Sequence, residues 1–304
     1  MADVAAPPAA EEAPPHPARA MLAMLRRDKL ALCAAIFLIV VVLCAVFLGE
    51  AATRQNLRGR LAPPFDTSRG WLFWLGGNAL GRPLLARIVV AARNTMTVAA
   101  LAVLGSLVIG TALGLVAGYS RRAWSQVIMR LADVIMSFPS LLLAVIVLFI
   151  LDPSILNIVI VLAITRIPVY LRTTRAEVLE VRERMFVQAA RVMGAGTGRI
   201  VLRRILPLVA PTLLTIATLD FAFVMRAKSS LSFLGIGIQP PEITWGLMVS
   251  QGRSYLITAW WLSVVPGLAI VLTTPSLNLL SNWLRVALDP MQRWRLEGRR
   301  TPRA

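Results

Sequence analysis

Residues 171–207 read LRTTRAEVLEVRERMFVQAARVMGAGTGRIVLRRILP. Val178, Val181, Met185 and Ala189 recur at steps of three and four, while Glu180, Arg182, Glu183 and Arg184 occupy the rest of the surface. That is the period of an amphipathic helix. Gly194, Gly196 and Gly198 end the pattern, and a second short helix over 200–206 leads into Pro207. Ala189 and Ala190 are small enough to let another backbone approach closely. Apolar runs at about 154–171 and 207–225 abut this polar stretch on both sides. The segment is therefore expected to be a helix–turn–helix lying on a membrane surface between two spans.

Further apolar runs lie at about 95–118, 131–151 and 257–280, and Leu30 to Leu48 forms another. At about 1.5 Å of rise per residue, a run of that length nearly matches a hydrocarbon core of roughly 30 Å. Six transmembrane helices are predicted, so the fold class is an all-α membrane protein. The run at 154–171 is the weakest, because it holds Asn157 and Arg166, and the short Asp152-Pro153 connection before it suits a tight hairpin between antiparallel helices. The predicted organisation is a disordered cytoplasmic tail (1–25), a first transmembrane helix (26–50), an outer loop (51–94), a five-helix core (95–290) that includes the 171–207 loop, and a basic cytoplasmic tail (291–304).

Composition agrees with lipid as solvent. The chain has 304 residues, 57% of them hydrophobic and 15% charged, against about 25% charged in soluble domains. Its net charge of +17 invites a nucleic-acid reading, but the basic residues fall between apolar runs and form no aromatic-interleaved face. Membrane proteins collect Lys and Arg in cytoplasmic loops. With both termini inside, 22 of the 32 basic residues fall in segments assigned to the cytoplasm. Cys33 and Cys44 lie on one helix about 16 Å apart by helical rise, too far to pair. His16 is the one histidine, so no metal site is expected.

Glycine and proline recur inside the spans. Gly110 and Gly114 form a small-xxx-small face with Gly105 a turn away, which lets helices approach closely in lipid. Pro139, Pro168, Pro211, Pro266 and Pro275 free carbonyls and bend helices.

The 171–207 loop resembles the "EAA" loop of importer-type ABC permeases, whose pattern is E-A-A, three residues, G, nine residues, I-x-L-P. Here Gln188-Ala189-Ala190, Gly194 and Leu206-Pro207 stand at that spacing, with Gln188 in place of Glu and Arg204 in place of Ile. The resemblance implies a coupling helix that docks on an ATPase subunit, carried by Gln188, Ala189, Ala190, Arg191, Gly194, Leu206 and Pro207. The stretches SLSFLGIG (230–237), Gln239-Pro240-Pro241, Trp245-Gly246, Pro266-Gly267 and Asn278 through Pro290 are similar to the dipeptide/oligopeptide branch, as are Arg130 to Asp133 with Phe138-Pro139. Gly81-Arg82, Arg87 and Ala92-Arg93 match a further motif of that branch in part, and Lys228 stands where the branch usually has Glu.

The resemblance implies a second-type permease subunit in a bacterial inner membrane. It forms half of a path for short peptides, with nickel chelates or modified peptides as alternatives. The implied partners are a homologous first-type permease, one or two ABC ATPase subunits and an extracytoplasmic substrate-binding protein. ATP and Mg would be bound by the ATPases and no cofactor by this chain. Ser232, Phe233, Gly235, Gly237, Trp245 and Asp220 are candidates for the outer gate or pathway.

Gly194 to Arg199 superficially suggests a nucleotide loop, but it lacks G-x-x-x-x-G-K-[ST] and follows a helix where a strand is needed. No catalytic carboxylate pair or nucleophile–base set can be picked out, so no enzyme is expected. Asp133 is expected to pair with Arg130 or lie at the surface. Asp220 is expected either to face the pathway or to pair with a neighbouring subunit. Trp245, Trp260 and Trp261 read as interfacial anchors. The rival reading is a self-sufficient ion- or proton-coupled transporter. It needs several intramembrane ionisable groups, and Asp220 is the one good candidate.

Overall fold

The computed structural model describes residues 17–47 and 59–288, apart from 67, 69, 121, 122 and 153. The expected tail at 291–304 lies outside these residues, as do residues 1–16. Among the described residues the chain is helical, with one isolated bridge between Gly77 and Pro83.

The helices are α1 (Pro17–Arg27), α2 (Lys29–Phe47), α3 (Leu84–Tyr119), α4 (Ala123–Met136), α5 (Ser140–Ile150), α6 (Ile155–Val181), α7 (Met185–Val192), α8 (Thr197–Ile200), α9 (Leu206–Phe233), α10 (Trp245–Gly252) and α11 (Trp261–Leu288). Among the described residues, five helical stretches are long and apolar enough to cross a membrane: α2, α3, α6, Thr197–Phe233 and α11. The expected third span is a pair, α4 and α5, bent by 88°, and counting it as one span makes six. The bend has a local cause. Pro139 precedes α5 with φ −57° and ψ 124°, it has no N–H to extend α4, and proline pushes the residue before it out of helical space.

Several expected boundaries move. The tail expected at 1–25 is helical from Pro17. Asp28 separates α1 from α2 and caps the latter, its Oδ1 accepting from Ala31 N at 3.1 Å. Met24 packs with Ala31, Trp283 and Ala287, so α1 rests on α11. The outer loop was expected to run to 94, but α3 begins at Leu84. The weakest expected span is a helix of 27 residues that runs well beyond residue 171 into the polar loop.

The bundle is built around α3 and α6. A Cβ at Gly110 would lie 2.6 Å from Tyr170 Cβ, one at Gly114 2.5 Å from Thr174 Cβ, and one at Gly118 2.7 Å from Val178 Cβ. Three glycines at four-residue steps thus let α6 lie directly on the α3 backbone. Gly105, expected to share this face, would meet Ala163 at an ordinary 3.6 Å. A larger apolar core joins α3, α9, α10 and α11 around Val98, Ala102, Met225, Leu231, Trp245 and Leu262.

Candidate functional site

The polar loop folds into a short helix held at the end of the bundle where α3 and α6 finish. The α6 helix stops at Val181. Arg182 donates from Nη1 to Gly118 O at 2.7 Å, tying the turn to the end of α3. The α7 helix follows, with Val187 and Ala190 buried against Leu115, Tyr170, Val178, Ile205 and Val209. Arg191 lies 5.8 Å over the Tyr119 ring and donates from Nη2 to its hydroxyl at 3.4 Å, a second tie to α3.

The other face of α7 is bare. Met185 is 86% exposed, Val192 88% and Met193 78%. Such apolar exposure at both ends of a short helix fits a contact surface better than solvent. At the C-terminus of α7, Gly194 takes φ +82°. Ala195 N donates to Ala190 O and Gly194 N to Arg191 O, both at 3.0 Å, which satisfies the last carbonyls. Nothing lies within 4 Å of a Cβ built on Gly194, so backbone conformation selects the glycine and crowding does not.

The expected coupling residues therefore separate. Gln188, Ala189, Arg191 and Gly194 are exposed, Ala190 is buried and Leu206 is half-buried. Gln188 donates from Nε2 to Glu183 O at 3.0 Å. The expected stripe of Val178, Val181, Met185 and Ala189 does not form one face, because the chain turns at 182–184 and Met185 starts a new helix with its side chain outward. The separate short helix over 200–206 is also absent. Thr197–Phe233 is one helical run with a π-turn at Val201–Ile205, and Gly198 lies inside it. Leu206 N reaches back to Val201 O there, just before Pro207, which cannot donate. Met185, Val192 and Met193 were missed as site residues because exposure is not visible in an apolar residue type.

At the opposite end, residues 230–245 form a capped turn. Gly235 adopts φ +82° at the end of α9, and Ile236 N donates to Leu231 O at 3.1 Å. Gly237 packs against Ser232, and Gln239 Nε2 donates to Gly235 O at 2.7 Å. Ser232 and Trp245 are fully buried, and Trp245 Nε1 donates to Ile88 O at 3.0 Å. Phe233 is exposed. The reading of Trp245 and Trp261 as interfacial anchors fails, since both are buried inside the chain, while Trp260 is exposed. Lys228 is buried beside this turn and donates from Nζ to Asn94 O at 2.8 Å. Asn94 in turn donates to Glu242 Oε2 at 2.8 Å.

Asp220 is buried in the middle of α9 and paired with Arg166 of α6, whose Nε donates to its Oδ2 at 3.1 Å and whose Nη2 contacts Oδ1. Arg166 also lies 4.4 Å over the Phe223 ring. Asp220 was expected to face the pathway or to pair with a neighbouring subunit, and its partner lies within the chain. Asp133 lies at the surface, the second of its two expected placements, where it pairs with Arg172 of α6 at 2.5 Å and not with Arg130.

Span-length helices with a short exposed helix slung between two of them define a multi-pass membrane protein. Over residues 110–294 the chain matches the family described as binding-protein-dependent transport system inner membrane component, and it belongs to that family. It is 39% identical over 281 residues to the di/tripeptide transport system permease protein DppC of Pseudomonas aeruginosa, covering 91% of this chain and 93% of the relative. It is 33% identical to the probable D,D-dipeptide transport system permease protein DdpC of Escherichia coli K12, covering 88% and 89%. In fold it resembles a chain of the MetNI methionine ABC transporter in inward-facing conformations, with TM-score 0.55, 17% identity, and 68% of this chain and 98% of that one covered. This membership decides against the self-sufficient, gradient-driven carrier.

Proposed function

We propose that the chain is the permease subunit of an ATP-driven importer of short peptides and that α7 is the helix its ATPase partner grips. The observation that carries the reading is the bare apolar face of Met185, Val192 and Met193 on a helix anchored through Arg182 and Arg191 to the end of α3. The peptide class is suggested by what the relatives' names say they transport.

On this reading the α7 end faces the cytoplasm, both termini lie inside, and the 230–245 turn lies on the outer side. A homologous permease completes the path, an external binding protein delivers the solute, and ATP with Mg is held by the ATPase subunits. Closure of the ATPases draws α7 with it, and the helices joined to α7 tilt. The importer then shifts between two bundle states that a ligand binds unequally. Phe233 and the turn around Gly235 and Gly237 shape the outer gate, backed by the buried Ser232 and Trp245.

Val192→Glu tests the docking role. The side chain is nearly fully exposed, so the fold should be unaffected. In proteoliposomes holding the full complex, ATP-driven uptake and substrate-stimulated ATPase activity are expected to fall at least tenfold. Undiminished activity would remove α7 from the coupling path.

A further inference from the structure

Arg87 lies in the first turns of α3, at the end of the molecule opposite α7. It is 7% exposed and lines a cavity of about 540 Å³ between the start of α3, residues 78–82, Pro240-Pro241 and α10. Its Nη2 donates to Gln251 Oε1 at 3.1 Å, its Nε has no hydrogen-bond partner, and no carboxylate among the described residues pairs with it. A guanidinium keeps its proton in proteins, so among the described residues this buried positive charge has no counter-charge. Folded chains rarely keep such a charge unless an anion reaches it.

The walls point the same way. Arg82 lines the same space, and no Asp or Glu does. Tyr255 adds a hydroxyl, while Pro241 and Met248 supply apolar wall. The volume lies within the range of roughly 300–1,000 Å³ typical of small-molecule sites. Gln251 holds one arm of the guanidinium, fixing the plane in which a carboxylate would be received.

The geometry points to a carboxylate-binding site for the transported solute: Arg87 receives the free carboxylate and Gln251 orients the guanidinium. This rests on the importer reading above, in which a short peptide brings a C-terminal carboxylate to this end of the chain. The solute's terminus enters between α3 and α10, which are already in contact, and α3 runs from this cavity to the anchor of α7.

The test uses the permease–ATPase complex without its binding protein, with dialanine and dialanine amide as probes. Isothermal titration of the wild-type complex is expected to show dialanine binding at least tenfold tighter than the amide. Arg87→Gln should bind the two equally, and Arg87→Lys should restore part of the preference. Gln251→Ala keeps the charge but loses its orientation. It should weaken dialanine several-fold, and it decides the question if Arg87→Gln does not assemble. Retained preference for dialanine in Arg87→Gln overturns the site. So does a loss that appears only when the same variants are titrated with the binding protein, which would place the carboxylate on that partner, or only when the complex is reconstituted in vesicles containing phosphatidylglycerol, which would place the anion on lipid. If the wild-type complex imports dialanine without binding it directly, this inference fails and the importer reading stands. If it imports no peptide at all, the peptide reading fails first.

Discussion

At the scale of single residues, the informative side chains are charges inside an apolar bundle. Asp220 and Arg166 lie on different helices and are both largely buried, at 5% and 18% side-chain exposure. Removing one partner strands the other charge, which typically costs about 3–5 kcal/mol, whereas replacing both is often close to neutral. Asp220→Asn and Arg166→Gln should therefore each lower the melting temperature of the purified complex, and the double variant should be more stable than either single one. A double-mutant cycle measures this directly, and strict additivity would show that the pair is not coupled. Asp220 stood out in the sequence because a carboxylate inside an apolar run is rare. Arg166 stood out too, as a charge in a weak span, but the pairing did not, because the two residues are 54 apart on different helices and separation along a chain says nothing about contact across it. The same holds for Asp133, whose partner is Arg172 and not the adjacent-turn Arg130.

At the scale of helices, hydropathy shows which residues meet lipid and not where a helix ends. This is why α6 was expected to stop near 171, while its polar extension to Val181 is the same helix leaving the apolar zone. The early start of α3 has the same origin, since Arg87 and Arg93 interrupt its apolar run without interrupting its hydrogen bonds. The glycine face was legible at Gly110 and Gly114 because its four-residue step is set by the helical period. Gly118 escaped because it sits at the end of the apolar run. The seam makes a contrast available. A Cβ at Gly114 would press on Leu171 O at 2.8 Å, a backbone atom that cannot rotate away, while nothing lies within 4 Å of one at Gly267. Gly114→Ala should destabilise by about 1–3 kcal/mol, the usual range for overpacking. Gly267→Ala should leave thermal stability equal or slightly higher, since glycine weakens a helix interior. Equal melting curves for the two variants would show that the α3–α6 seam carries no strain on substitution.

At the scale of the whole molecule, α3 spans 36 residues, about 54 Å at 1.5 Å per residue. One end holds the Arg87 cavity and the other receives Arg182 and Arg191. The glycine seam joins α3 to α6, and Asp220 joins α6 to α9. A force on α7 thus enters three long helices through packed backbone and paired charge, without a flexible linker between them. Coupling of this kind needs α7 to be covered by a partner, and that can be measured with one thiol. Cys33 and Cys44 are the chain's native cysteines, and replacing both with Ala removes the background. Met193→Cys then places a single thiol on the exposed edge of α7. On the proposed orientation, with the α7 end in the cytoplasm, a membrane-impermeant maleimide should label it in inside-out vesicles and not in right-side-out ones. Co-expression of the ATPase subunits should slow labelling at least tenfold, and the protection should change when a non-hydrolysable ATP analogue is added. A thiol that reacts at one rate with and without the ATPases would mean that α7 is not the surface they hold, and the mechanical path from it to the Arg87 cavity would have no input.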